Sequence, residues 1–248
     1  MSAVTLTFGD RAENHKGMEI IGQDIGKGHG LSYNNLINIA SYFSNNNYPV
    51  YLYDLRQLAP EYTLDEAFIL IIPNGVSLFT DSNLLYEEAI ALPWDTKAFM
   101  YGQVKNKHAR HNLTFDTHYR GPNYEQGEGT IIGYSSVPHI EAIYNGLSSL
   151  TGYSLKGEGN LYFNPSKCGI GYHGDSERRI AIGVRLGVTI PLTFSWFLKN
   201  KPIGGKGGFM LNSGDIYIMS EKVVGTDWKS SSFPTLRHAA GCNKYTDL

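Results

Sequence analysis

The chain has 248 residues, with 21 basic against 23 acidic side chains, a net charge of −2 and only two cysteines, Cys168 and Cys242. That balance excludes a global polybasic field for nucleic acid, and two isolated thiols exclude a disulfide framework or a structural zinc site. No apolar run approaches the ~20 residues that span a bilayer, and the opening residues lack a basic region followed by an apolar core, so a soluble, intracellular protein of cytoplasm or nucleus is expected.

Taken in order, Val4 to Phe8 reads as a strand and Leu31 to Phe43 as a helix with apolar residues at helical spacing. Tyr48 to Leu55 is a second strand. The apolar run Ala67 to Ile72, the Pro73-Asn74-Gly75 turn and Val76 to Phe79 together predict a hairpin. Leu84 to Leu92 is a helix candidate, and Asn112–Phe115 and Thr130–Tyr134 are strand candidates. Val137 to Leu150 is the clearest helix, with Pro138 at its start and Gly152 just past its end. Strands then follow at 160–164, 180–187, 190–198, 208–211, 215–220 and 235–239, with the glycine-rich stretch 204–208 read as a loop. Abundant glycine and tyrosine (28 and 17) suit this succession of short strands and tight turns. The expected fold class is α+β, mainly β: a rolled antiparallel double sheet over residues 101–248 with flanking helices. Residues 1–100 would form an N-terminal α/β extension that buttresses this core or selects substrate.

The chemistry concentrates at Gly171-Tyr172-His173-Gly174-Asp175 and at the late His238. Alternate residues on a strand share a face, so His173 and Asp175 can aim two ligand atoms at one point. A further imidazole from a distant strand would complete two histidines and one carboxylate, a set that suits Fe(II) and leaves positions open. A lone His-x-Asp is a weak signal, and a hydrogen-bonded histidine at a strand end would look the same. No Gly-x-Ser-x-Gly supports a serine nucleophile, and 204–208 lacks the Gly-Lys-Ser/Thr of a phosphate loop.

The order of the motifs is more specific than any one of them. Asn160 to Asp175, then Ile180 to Gly187, Leu192 to Trp196 and Leu211-Asn-Ser-Gly-Asp-Ile-Tyr-Ile-Met219 follow one another collinearly. With Arg110 to Phe115 and Val137-Pro138 upstream, they resemble AlkB-like Fe(II)/2-oxoglutarate dioxygenases over about residues 105–248. The resemblance implies a double-stranded β-helix (jelly-roll, cupin-like) core, Fe(II) on His173, Asp175 and His238, and 2-oxoglutarate and O2 as co-substrates. It places Tyr162 and Asn164 near 2-oxoglutarate. The family's arginines beyond the distal histidine are missing here. Lys244 is the expected substitute on the same strand face, with Arg179 and Arg185 as alternatives.

The implied activity is hydroxylation or oxidative demethylation of a C–H bond, on a nucleobase of DNA or RNA. A protein side-chain hydroxylase and a non-catalytic cupin-like metal-binding module are the alternatives. Lys105, Lys107, Arg110 and Arg120 form the densest basic stretch, which would contact phosphate or be an ordinary solvated loop. Tyr101, Tyr119, Tyr124 and Trp228 are candidates to stack on a base or to fill core. Ser176 to Arg179 would orient the iron carboxylate or be strand-edge charge, and Glu221, Lys222 and Asp227 would form a lid or plain loop polarity.

Overall fold

The computed structural model describes all 248 residues. In chain order the strands and helices are β1 (Ala3–Gly9), β2 (Arg11–Glu13), β3 (Ile20–Gly22), α1 (Tyr33–Asn45), β4 (Tyr51–Asp54), β5 (Phe68–Ile72), α2 (Ser82–Ile90), β6 (Lys97–Met100), β7 (Gln103–Asn106), β8 (His111–Asp116), β9 (Ile131–Gly133) and α3 (Pro138–Thr151). The second half continues with β10 (Lys156–Tyr162), β11 (Gly169–His173), β12 (Ala181–Gly187), β13 (Ile190–Leu198), β14 (Lys201–Leu211), β15 (Ile216–Met219), α4 (Glu221–Val224), β16 (Thr235–Gly241) and α5 (Asn243–Thr246).

The protein is mainly β, in three layers. An eight-stranded mixed sheet runs β4-β5-β15-β12-β1-β10-β8-β9, parallel only between β8 and β9. One face carries α1, α2 and α3; the other faces a four-stranded sheet, β11-β16-β13-β14. Period-two alternation divides the side chains of the large sheet between these layers. Val4, Leu6 and Phe8 of β1 and Ile182, Val184 and Leu186 of β12 pack under the helices. Thr5, Thr7, Ala181 and Arg185, one step out of phase, point between the sheets. There Ile69, Ile71, Tyr217 and Met219 meet Leu192, Phe194, Trp196 and Leu236 of the small sheet.

The helices begin and end where their sequence signals stand. Ser32 caps α1 in a reciprocal capping box with Asn35, Pro138 opens α3, and Gly152 closes α3 in the left-handed conformation at φ 76°. Two expectations need correction. Val76 to Phe79 is no strand: Asn74 turns left-handed at φ 52° and Gly75–Leu78 form a 3-10 turn. β5 finds its partners in β4 and β15 instead. The 204–208 glycines are no loop either; they lie inside β14. Leu58 crosses so close that a Cβ on Gly204 would stand 2.2 Å from its carbonyl oxygen, so glycine is what lets the turn at Leu55–Leu58 cover this strand.

Residues 1–100 do more than flank the core. β1 lies between β12 and β10, paired to both along nearly its whole length, so residues 1–100 and 101–248 share one sheet. No helix is long and apolar enough to cross a membrane. Phe8 is fully buried on this central strand, and Phe8→Ala is expected to cost about 3–5 kcal/mol of stability, read from the shift of the urea midpoint. A loss under about 1 kcal/mol would mean that β1 is not integral to the core.

Candidate metal centre

β11 and β16 are antiparallel neighbours, and their register sets His173 directly opposite His238. A bulge between Ile170 and His173 matches three steps of β11 to two of β16, re-aiming the end of the strand. The two rings lie 4.5 Å apart, centroid to centroid. β11 ends at His173, and Gly174 then brings the chain against the Gly225 turn. A Cβ on Gly174 would stand 2.0 Å from the Gly225 carbonyl oxygen, so only glycine permits this approach. The Asp175 N–H donates to the Val224 carbonyl (2.9 Å), which fixes the carboxylate beside the imidazoles. Asp175 Oδ1 lies 3.4 Å from His173 Nε2 and 3.5 Å from His238 Nε2. All three ligand atoms fall within 4.8 Å of one another.

Their arrangement suits a cation. His173 Nδ1 donates to the Gly171 carbonyl (2.8 Å), which turns Nε2 toward Asp175. Burial, and then the neighbouring His173, push the His238 pKa below the usual histidine value, so that ring is neutral at pH 7. Burial works to raise the Asp175 carboxyl, but Arg178 and the two histidines outweigh it and hold the group well below the ordinary carboxylate range. Two imidazoles and one carboxylate on one side of a point are a donor set suited to a divalent cation such as Fe(II), with positions left open.

Arg178 decides how Asp175 presents itself. Its Nε lies 3.6 Å from Asp175 Oδ2, the oxygen turned away from the imidazoles. The same guanidinium is 4 % exposed and is held by Glu158 and by Glu177 (2.8 Å). One buried cation thus balances three carboxylates and leaves Oδ1 as the single oxygen facing the histidines.

A cavity of about 690 Å³ opens between the sheets over this triad. On its large-sheet wall stands Arg185, fully buried, with no partner for Nε, Nη1 or Nη2. Thr5, directly across on β1, has a buried hydroxyl that is likewise unpartnered. Tyr162 lines the same wall, and Tyr217 beside it has its phenol pushed up to about 12, chiefly by burial. A guanidinium and a hydroxyl left bare in a low-dielectric wall form a site prepared for an anion.

Of the other expected contacts, only some converge here. Lys244 does not: Gly241 turns at φ 109°, the strand stops, and Lys244 falls on the exposed face of α5 against Tyr245. Asn164 accepts hydrogen bonds from the Ser166 N–H (3.2 Å) and hydroxyl (2.7 Å) in a surface turn and is absent from the cavity wall. Arg179 lines a different cleft, bound to Thr226 (2.9 Å). The basic stretch is also divided. Lys107 is buried and donates to Asn14 (2.8 Å), and Arg120 is paired with Glu19 and Glu128. Arg110 lines the cavity, while Lys105 is exposed on β7. Tyr124 is tied to Asp95 (2.7 Å), Tyr101 and Tyr119 lie off the cavity wall, and Trp228 is on it. Glu221 is bound by the N–H groups of Gly28 and Gly30, and Lys222 bridges Asp65 and Asp227, so these residues fasten loops together.

Sequence reasoning missed Thr5, Glu158, Asn160 and Tyr217. The alternation of Glu158, Asn160 and Tyr162 on one strand was the available signal for two of them; nothing local marked Thr5, because its strand lies more than 150 residues from its partners.

No family model matches the chain. It is 45% identical over 246 residues, 98% of its own length and 96% of the other's, to an uncharacterized protein of Acanthamoeba polyphaga mimivirus.

Arg178→Gln removes the cation that orients Asp175. It is expected to weaken Fe(II) or Co(II) binding about 10–100-fold, measured by anaerobic titration of the folded variant. Unchanged metal affinity would remove Arg178 from this role.

Proposed function

The chain belongs to the family of that mimivirus protein, and we propose that it is an Fe(II)- and 2-oxoglutarate-dependent dioxygenase that hydroxylates a C–H bond. The observation that carries this reading is the pairing, in one cavity, of a His-Asp-His triad with a bare buried arginine. His173 Nε2, Asp175 Oδ1 and His238 Nε2 would hold the metal. Fe(II) held there would supply open positions for the oxidation in which the C–H substrate, 2-oxoglutarate and O2 give the hydroxylated product, succinate and CO2.

The protein's residues do the rest by placement. Arg185 and Thr5 receive the far carboxylate of 2-oxoglutarate, and the carboxylate neutralises a fully buried guanidinium that nothing else compensates. Tyr162 and Tyr217 form the wall around it. Burial between two sheets keeps water away from the triad, and the open side admits the molecule to be oxidised.

The strand order supports a double-stranded β-helix. From β10 to β16 the chain passes between the two sheets, giving β15-β12 and β10 in the large one and β11-β16-β13-β14 in the small one. The gap between β12 and β10 is the eighth place of such a roll, and β1 fills it. A cupin-like binding module would need no bare cation opposite its metal, so Arg185 favours turnover.

Adding Fe(II) and then 2-oxoglutarate without oxygen should produce the visible charge-transfer band of the chelate, and His238→Ala should abolish it. Metal binding without a band would reject 2-oxoglutarate. Arg185→Met separates anchor from scaffold. It is expected to weaken 2-oxoglutarate binding on the order of 100-fold while leaving the metal-free protein as stable or more so, because a buried uncompensated charge has been removed. A less stable variant that still binds 2-oxoglutarate would show Arg185 to be structural.

A further inference from the structure

The open side of the cavity carries charge that the triad and Arg185 do not use. Arg110, just before β8, spends its Nε on Asn160 Oδ1 (2.6 Å), and its two terminal nitrogens take no partner in the protein. Lys16 and Lys229 stand on the same rim, 5.9 and 5.8 Å from the ring centroid of one residue, Trp228. None of the three cations lies within ion-pair distance of a carboxylate. The cavity's acids are spent elsewhere: Glu158, Asp175 and Glu177 all surround Arg178. Glu13 accepts from the Gly17 N–H (2.7 Å), and burial pushes its carboxyl up to about 7, so it holds only part of a charge at neutral pH.

Trp228 links this rim to the triad. Its indole N–H donates to Ser176 Oγ (2.9 Å), on the residue next to Asp175, while its ring reaches the two lysines and the Arg237 guanidinium (5.3 Å). A molecule lying along Trp228 with one end at the triad therefore has its other end among three free cations.

Resting on the dioxygenase reading, we propose that the molecule oxidised is a free nucleoside monophosphate, its base beside Trp228 and its phosphate held by Arg110, Lys16 and Lys229. A phosphate monoester carries nearly two charges at neutral pH, which three unpaired cations lining one cavity match better than do the single charges spaced along a strand. The basic surface that a strand would follow is interrupted, with Lys107 buried and Arg120 neutralised by two glutamates. A cavity of about 690 Å³ is sufficient for one nucleotide and a small dicarboxylate together.

The test measures binding to the full chain by equilibrium dialysis and tryptophan fluorescence. Its probes are AMP, GMP, CMP and UMP, their nucleosides, and single-stranded oligonucleotides of rising length. At least one monophosphate should bind about tenfold or more tighter than its nucleoside. Arg110→Met, and Lys16→Ala with Lys229→Ala, should each erase most of that advantage and leave nucleoside binding unchanged. A nucleoside that binds as tightly as its phosphate, or affinity that climbs with oligonucleotide length past the monophosphate, would overturn the proposal. Its failure with the chelate band intact would leave the dioxygenase reading standing. A phosphate-dependent site without the band would do the reverse.

Discussion

The pairing of His173 with His238 across two adjacent strands is the constraint on which the candidate site depends. Once those residues face each other, the third ligand needs to travel only two positions, through a glycine, to reach them. The small sheet exists around that pair: β13 flanks β16 and sets Phe194 beside His238, and the bulge in β11 aims its end. The close approach of Gly174 to Gly225 ties the Asp175 turn to the segment leading into β16. Geometry of this kind is rigid because it is made by backbone pairing, which fixes ligand atoms better than long side chains on loops would.

Arg185 states the energetic cost of the same design. A fully buried guanidinium without a partner is unfavourable by several kcal/mol, and the apolar packing on both sides of the large sheet must offset it. The parity of β12 makes the position unavoidable: with Ile182, Val184 and Leu186 committed to the helices, the residue between the last two must face the cavity. Arg178 is the contrasting case. It is nearly as buried but is held by carboxylates, with Nη1 alone left without a partner, whereas all three nitrogens of Arg185 are bare.

Much of this was legible in the sequence because it is written in local period. The strand pattern from residue 160 onward, the capped helices and the His-x-Asp all depend on neighbours within a few positions. What escaped depends on contacts remote in the chain. The 204–208 glycines have the composition of a loop, and only the approach of Leu58 explains them as strand. Pro-Asn-Gly promises a hairpin, yet β15, about 145 residues away, offers β5 a better partner. Lys244 looked suitable only while β16 was extended past Gly241, whose positive φ ends the strand. Of the three candidate cations only Arg185 lines the cavity of the triad, a placement set by the packing of β12 across the sheet.

The place of β1 draws these points together. The N-terminal stretch supplies the strand that joins β12 to β10 in the large sheet, lying against β12 in register so that Thr5 opposes Arg185. The buried cation stands on the neighbouring strand, with a threonine of β1 directly across from it. The bare guanidinium and hydroxyl thus come from residues 180 positions apart in sequence. They stand together only once β1 has docked, so this wall of the cavity forms with the central sheet.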